Sequence, residues 1–294
     1  MTLVGFARLL LLAALWGGSF LFMRMAASAV GPTWLILARV GLAAIFLWLV
    51  ALWFKKGLRA SHYWRHYLVL GFFNSALPFL LFAYAAQTIS ASLLSILNAT
   101  APMWAAVIAR VWHKSELSMP KWVGMGAGLT GVAVLAGFES MALSAHGMWA
   151  IAAGLAATLS YGIATNYTKV APTVDSFSNA YGSMWAATLL MIPVALATPI
   201  PAEVPMVPTG LAVLALGIVC SGVAYLIYFR LIADFGGVFA LTVAFLIPVF
   251  GTFWGAWLLG EPVTWSTLIG GLMVLMGTAM VTGFSPSTLF GRTR

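Results

Sequence analysis

The chain repeats itself. Adding 146 to the position of Gly71, Ser75, Pro102, Gly124 or Gly131 lands on the same residue type, at Gly217, Ser221, Pro248, Gly270 and Gly277. The register holds without a gap from Gly71 to Gly131, and upstream Trp16-Gly17 faces Tyr161-Gly162 at an offset of 145. Each copy holds five apolar spans. Five is odd, so a second copy must enter a membrane from the opposite side, and the halves, 1–138 and 139–294, are predicted to be inverted. Inverted-topology repeats build secondary transporters, with the substrate site near the midplane where the halves meet.

Composition supports a membrane assignment. Hydrophobic residues make up 63% of the chain and charged residues 7%, against roughly 25% charged in a soluble domain. A helix needs about 20 residues to cross the hydrocarbon layer. Ten such spans fall near 5–26, 33–54, 67–87, 90–111, 120–138, 147–168, 177–199, 210–229, 236–258 and 264–284. Barrel strands would alternate with period two, whereas runs such as Leu9 to Leu15 are apolar on every face. Arg8, the apolar run and Ala27-Ser28-Ala29 resemble a signal peptide. Arg24 interrupts that pattern, and cleavage would leave the first half one helix short. Cys220 is the single cysteine, which excludes an intrachain disulfide and a multi-cysteine metal site.

Charge placement sets an expected orientation. Arg8, Lys55, Lys56, Arg59, Arg65, Arg110, Lys114, Lys121, Lys169, Arg230, Arg292 and Arg294 fall at the termini and the even-to-odd connections, while Glu139, Glu203 and Glu261 mark the others. The positive-inside rule then puts both termini in the cytoplasm. The net charge of +8 is scattered over short loops, unlike the clustered basic face of a nucleic-acid binder.

The stretch Gly217-Ile-Val-Cys-Ser-Gly-Val-Ala-Tyr225-Leu-Ile-Tyr228-Phe, then Phe245-Leu-Ile-Pro248-Val and Leu258-Leu-Gly260-Glu261-Pro262, resembles the second repeat of the drug/metabolite transporter superfamily, EamA type. Trp16-Gly17-Gly18-Ser19-Phe20 with Arg39 resembles the opening of the first repeat. Within the superfamily the chain looks most like the YddG-type aromatic amino-acid exporters of bacterial inner membranes. The resemblance implies an all-α integral membrane protein of ten transmembrane helices around a central cavity, open alternately to the two sides. It implies export of phenylalanine and other aromatic or neutral amino acids, without cofactor or nucleotide. Sibling substrates are a purine, a sugar metabolite, a nucleotide sugar or a hydrophobic drug. A highly anionic nucleotide sugar calls for more than one intramembrane cation, and a cationic drug calls for a membrane carboxylate. A membrane enzyme or receptor is the alternative from another class, and it predicts no solute flux.

Three prolines sit inside spans: Pro78, Pro102 and Pro248. A helix-interior proline frees the carbonyl four residues earlier, here at Asn74, Asn98 and Ala244, and a freed carbonyl in hydrocarbon must be re-satisfied or line a wet cavity. Each proline is either a plain kink or a hinge; the pairing of Pro102 with Pro248 across the repeat favours hinges. Asn74 and Asn98 bring amides to the same bends, able to donate to a carboxylate and accept from an ammonium, or to join helices by hydrogen bonds. Mid-span aromatics include Trp16, Phe79, Trp104, Tyr161, Trp185, Tyr225 and Trp254; they either fill space or present ring faces to an aromatic substrate. Trp16, Phe79, Trp104, Tyr161 and Tyr225, with Asn74 and Asn98, form the candidate substrate set. Arg39 is the clearly intramembrane charge, a functional candidate by default. It suits a substrate carboxylate, or equally the capping of freed carbonyls that hold its helix in place.

Other patterns read as packing. Gly126-Ala-Gly128-Leu-Thr-Gly131 matches a dinucleotide fingerprint letter for letter, yet lies in an apolar span without the required strand. Gly124 with Gly128 and Gly251 with Gly255 have the spacing of close helix contacts. His62 and His66 are spaced like a metal pair, but no third ligand is near, and a cytoplasmic loop is expected for both. All six acidic residues lie in loops or at span ends, so neither a catalytic carboxylate pair nor a buried proton relay is visible.

Overall fold

The computed structural model describes residues 3–138, 144–199 and 207–284, and every element among them is helical. Glu139, Glu203, Arg292 and Arg294, which contributed to the expected orientation, lie outside the described residues. Nine helices there are long and apolar enough to cross a membrane: α1 Leu3–Val30, α2 Pro32–Trp53, α3 Ala60–Ala85, α4 Ala91–His113, α6 Ala145–Tyr167, α7 Ser176–Leu196, α8 Val207–Phe235, α9 Phe239–Leu259 and α10 Trp265–Thr282. The tenth, α5 Met119–Phe138, has 20 residues and packs along α10. The architecture is that of an all-α integral membrane protein.

Local chemistry sets the ends. Gly31 turns the chain with φ +78° before Pro32 opens α2, where a missing N–H costs nothing. Ser90 caps α4 by accepting from Leu93 N, and Asp175 caps α7 by accepting from Ser178 N. A capping box between Thr264 and Thr267 starts α10. These caps satisfy orphan N–H groups that would be expensive near hydrocarbon.

Two helices exceed their expected bounds, and one correction follows. α3 begins at Ala60 rather than near 67, so His66 is a buried helical residue and not part of a loop. Its ring can be buried because both nitrogens are satisfied, Nε2 against Asn179 Oδ1 at 2.8 Å and Nδ1 against the Tyr167 hydroxyl at 3.2 Å. α8 continues to Phe235, past Arg230. Arg230 pairs with Asp234 one turn later at 3.0 Å, and Asp234 also holds Arg8 at 2.6 Å. Neutralising neighbours let the helix run on where a lone charge would have ended it.

Glycines bring the helices together in a patterned way. A Cβ added to Gly124 would lie 2.7 Å from the Gly277 carbonyl oxygen, and one on Gly131 would lie 2.6 Å from that of Gly270. In the 146-residue register Gly270 is the counterpart of Gly124, and Gly277 of Gly131, so the α5–α10 seam is one contact seen twice. The same exchange joins α1 to α9 and α6 to α4: Gly17 abuts Phe250 and Gly251, and Gly162 abuts Trp104 and Ala105. It joins α3 to α7 and α8 to α2 as well. Gly71 meets the Ser183 carbonyl and the Ala186 Cβ, and Gly217 meets the Arg39 carbonyl and the Leu42 Cβ. Close backbone approach of this kind is how helices associate in lipid, where no hydrophobic force drives them together.

Candidate functional site

The site begins with two irregular turns at equivalent places. Phe72–Ala76 in α3 and Ala215–Val223 in α8 are π-helical, a wider winding frequent at functional sites. In α3, Pro78 cannot donate, and Leu77 N bonds to the Phe72 carbonyl five residues back. The Phe73 carbonyl left over accepts from Ser160 Oγ of α6 at 2.7 Å. In α8, Ser221 Oγ donates to the Leu216 carbonyl, also five residues back, at 2.9 Å.

Arg39 of α2 points into the space beside these turns. Its side chain is buried, Nε donates to Ser221 Oγ at 3.0 Å, Nη1 lies 3.6 Å from Met23 Sδ, and the guanidinium stacks 3.7 Å from the centre of the Phe79 ring. No backbone carbonyl and no carboxylate partners this group among the described residues. The hydroxyls of Tyr161 and Tyr225 and the Cys220 thiol lie within its electrostatic reach, and Asn74 lies beside the Tyr225 hydroxyl. A ring-stacked cation gains roughly 0.5–2 kcal/mol, and a hydrogen bond to a charged group about 1.5–3 kcal/mol. Together these match the insertion cost of at least about 2.5 kcal/mol for an intramembrane arginine, but they leave its charge unneutralised.

Aromatic rings complete one wall. Trp16 meets Tyr225 edge-on at 6.2 Å and Tyr228 at 5.3 Å, while Phe20 meets Phe82 at 5.3 Å and Phe82 meets Tyr161 at 6.3 Å. Trp16, Asn74, Tyr161 and Tyr225 are only half-buried although they sit at mid-helix. Five members of the candidate set, Trp16, Asn74, Phe79, Tyr161 and Tyr225, therefore gather with Arg39 between α1, α2, α3, α6 and α8. Asn98 and Trp104 lie on α4, without a hydrogen bond or ring contact to this group among the described residues; the Asn98 amide has no hydrogen-bond partner there, and the Trp104 backbone packs on Gly162, next to Tyr161.

Ser221, Met23, Ser160 and Tyr228 complete the cluster without having been singled out by the sequence. Ser221 carried a signal as the repeat partner of Ser75, and Tyr228 stood inside the family-like stretch; Met23 and Ser160 carried none.

The two paired prolines differ in their settings. Pro102 follows a break in α4, where Asn98 ends one helical segment and Ala101 opens the next. The carbonyls at that break are taken up: Thr278 Oγ1 of α10 donates to the Ala99 oxygen at 2.7 Å, and Thr100 Oγ1 donates to the Leu97 oxygen at 2.8 Å. Pro248 lies inside Val243–Leu259, and the break in α9 falls six residues earlier, at Thr242. Thr242 Oγ1 satisfies the Phe239 carbonyl there at 2.7 Å. At the α4 bend Thr278 brings a donor from another helix to the Ala99 carbonyl, whereas Thr100 and Thr242 reinforce carbonyls that already accept from their own N–H groups.

Glu261 has a structural task at one end of the bundle. Its carboxylate accepts from Ala91 N at 2.7 Å, Ser92 N at 3.1 Å and Ser92 Oγ at 2.8 Å, placing a negative charge on the positive end of the α4 dipole. A separate apolar cavity of about 500 Å³ opens near Gly31, Trp34, Leu80, Tyr84 and Thr198. Arg39 does not line it, and its two threonine hydroxyls, Thr33 and Thr198, are occupied with each other at 2.8 Å. The convergent chemistry lies at Arg39.

The model of the EamA-like transporter family matches the chain twice, at residues 3–137 and 148–283. The chain belongs to the EamA-like transporter family. This EamA-like protein is similar to the uncharacterized transporter YoaV of Bacillus subtilis (strain 168), with 21% identity over 271 residues covering 91% of this chain and 93% of the relative. It is also similar to an uncharacterized transporter of Archaeoglobus fulgidus, at 25% over 284 residues with 91% and 93% covered. A solved crystal structure shares its fold, with a TM-score of 0.64, 19% identity and 96% of each chain covered. The EamA-like protein is thus a multi-pass membrane transporter.

Proposed function

We propose that this transporter exports amino acids, including phenylalanine and other aromatic or neutral ones, across the bacterial inner membrane by alternating access. The carrying observation is Arg39: a buried intramembrane cation with no carboxylate partner among the described residues, beside a partly buried aromatic wall. A substrate carboxylate supplies the missing charge through the guanidinium fork. Trp16, Tyr161 and Tyr225 offer ring faces and edges to its side chain, and Asn74 offers an amide. The five-helix halves 1–138 and 139–294 are read as inverted, with Pro102, Pro248 and the adjacent breaks as the flexible points. The described carboxylates, Glu116, Asp175, Asp234 and Glu261, all sit at helix ends, which disfavours a cationic drug as substrate. A nucleotide sugar is disfavoured as well, because Arg24, near one end of α1, donates to the Ala86 carbonyl at 2.8 Å and leaves mainly Arg39 for its phosphates.

Pure protein in liposomes should move labelled phenylalanine and leave nucleobases and sugars behind; the reverse preference would overturn the assignment. Trp16→Ala and Tyr225→Ala should each reduce phenylalanine flux about 2- to 10-fold more than alanine flux, matching roughly 0.5–1.5 kcal/mol per ring contact. Equal losses for both amino acids would identify the ring cluster as scaffold.

The orientation has its own test. In a Cys220→Ala background, a Ser61→Cys substitution on the basic-loop side should be protected from impermeant maleimide in intact cells, and Ala145→Cys should react. Both positions are exposed. Reversed labelling would put the termini outside.

A further inference from the structure

The internal register sorts the interhelical contacts into two kinds. The α5–α10 seam, the α1–α9 and α6–α4 pair, and the α3–α7 and α8–α2 pair each occur in both repeat-related versions. The contact between α4 and α9 occurs in one. At the end marked by Glu261, Ser95 fills the space over Gly251, Ser92 Oγ lies 3.2 Å from where a Cβ on Gly255 would be, and Glu261 ties α9 to the start of α4. Adding or subtracting 146 places the missing twin at the basic-loop end, between Leu241 of α9 and Ala105 of α4. That twin is not formed. Ser95 is fully buried, whereas Leu241 is 61% exposed, and Ala101–His113 packs on α6 and α10 instead.

We infer that Leu241 and Ala105 are the two faces of a second gate, which closes at the basic-loop end when the Ser95–Gly251 contact opens. The seams present in both versions need not change between states, because the exchange of halves maps them onto themselves. The contact present once must change, since the same exchange moves it to the other end of the bundle. The breaks at Ala99–Thr100 and Thr242 lie between the two gate positions on their helices, where a segment can tilt without disturbing the seams. The gates are unequal. The register puts Ser115 where Glu261 stands and the nearest carboxylate, Glu116, one position out of register, so the second gate is clasped less tightly and the state with the Glu261 end shut is favoured. This inference rests on the alternating-access reading above.

The test is a cross-link between Ala105→Cys and Leu241→Cys in the Cys220→Ala background, formed in liposomes with copper phenanthroline. The expected result is a bond that forms, arrests phenylalanine flux and is reversed by dithiothreitol. Adding Glu261→Gln should speed its formation about tenfold by weakening the opposite clasp. Intact flux with no cross-link would overturn the gate while leaving the transport reading in place. A cross-link accelerated by Glu261→Gln in a protein that moves no amino acid would support the gate and refute the substrate. As a second measurement that leaves the gate residues unchanged, spin labels at Ser115 and Gly237 should show two distances, the shorter growing about tenfold relative to the longer with Glu261→Gln. One unchanging distance would overturn the gate.

Discussion

Replacing Arg39 by methionine is expected to lower phenylalanine flux about 10- to 100-fold, the equivalent of a lost charge-assisted hydrogen bond of roughly 1.5–3 kcal/mol. The fold should survive. The substitution removes a cation whose burial costs at least about 2.5 kcal/mol, methionine can occupy the face of Phe79, and Ser221 retains its bond to the Leu216 carbonyl. Arg39→Lys should recover part of the flux, since it keeps the charge but loses the planar fork. Competition assays separate recognition from scaffolding. Phenylalanine amide has no carboxylate, so its weak competition should be the same in wild type and Arg39→Met, whereas phenylalanine should lose most of its advantage over the amide. A parallel loss for both compounds would show that Arg39 merely holds α2 in place.

The second large effect concerns the α5–α10 seam. Gly131→Ala puts a methyl group 2.6 Å from the Gly270 carbonyl oxygen, and that oxygen belongs to backbone that cannot rotate away. Overpacking of this kind costs about 1–3 kcal/mol. Gly126→Ala on the same helix meets nothing within 4 Å and removes the conformational freedom that makes a helical glycine unfavourable by roughly 0.5–1 kcal/mol. Thermal unfolding in detergent should therefore shift in opposite directions, with Gly131→Ala lowered and Gly126→Ala unchanged or raised. Equal shifts would mean that the seam is loose enough to absorb a methyl. The pair also separates two uses of one motif: Gly126, Gly128 and Gly131 share a fingerprint spacing, but Gly131 faces backbone, Gly128 faces the Met103 side chain and Gly126 faces open space.

The ten spans and the glycine contacts were readable because they depend on local apolarity and on a repeat within the chain. Charge misplaced two boundaries. His66 and Arg230 read as loop residues because a charged or titratable group marks the end of an apolar stretch. The His66 partner Asn179 lies 113 residues away, whereas Arg230 and Asp234 have the local i,i+4 spacing of a helical ion pair. Pro78 announced an irregularity in α3, yet nothing in Ala215–Val223 announced its twin in α8, which contains no proline. For Arg39 the sequence left an anion site and a carbonyl cap open. The hydrogen bond it makes instead is to Ser221, 182 residues away, which no local pattern indicates. Trp16, Asn74, Phe79, Tyr161 and Tyr225 converge because their helices do, whereas Asn98 and Trp104, on a helix that also packs on α1 and α6, make no hydrogen bond or ring contact to them among the described residues.

The equivalence of Gly71 and Gly217 has a consequence for the origin of the binding chemistry. The carbonyl against Gly217 belongs to Arg39, and the carbonyl against Gly71 belongs to Ser183. The hydroxyl of Ser183 turns back to its own Ala180 carbonyl, and Ser75, the twin of Ser221, is buried without a hydrogen-bond partner among the described residues. On the proposed anion-binding reading, a frame of two identical halves would carry two such arginines or none: two would double the insertion cost, and none would leave a substrate carboxylate unpaired. Two unequal halves in one chain allow a single arginine, and Ser75 stands where an arginine of the second half would be received.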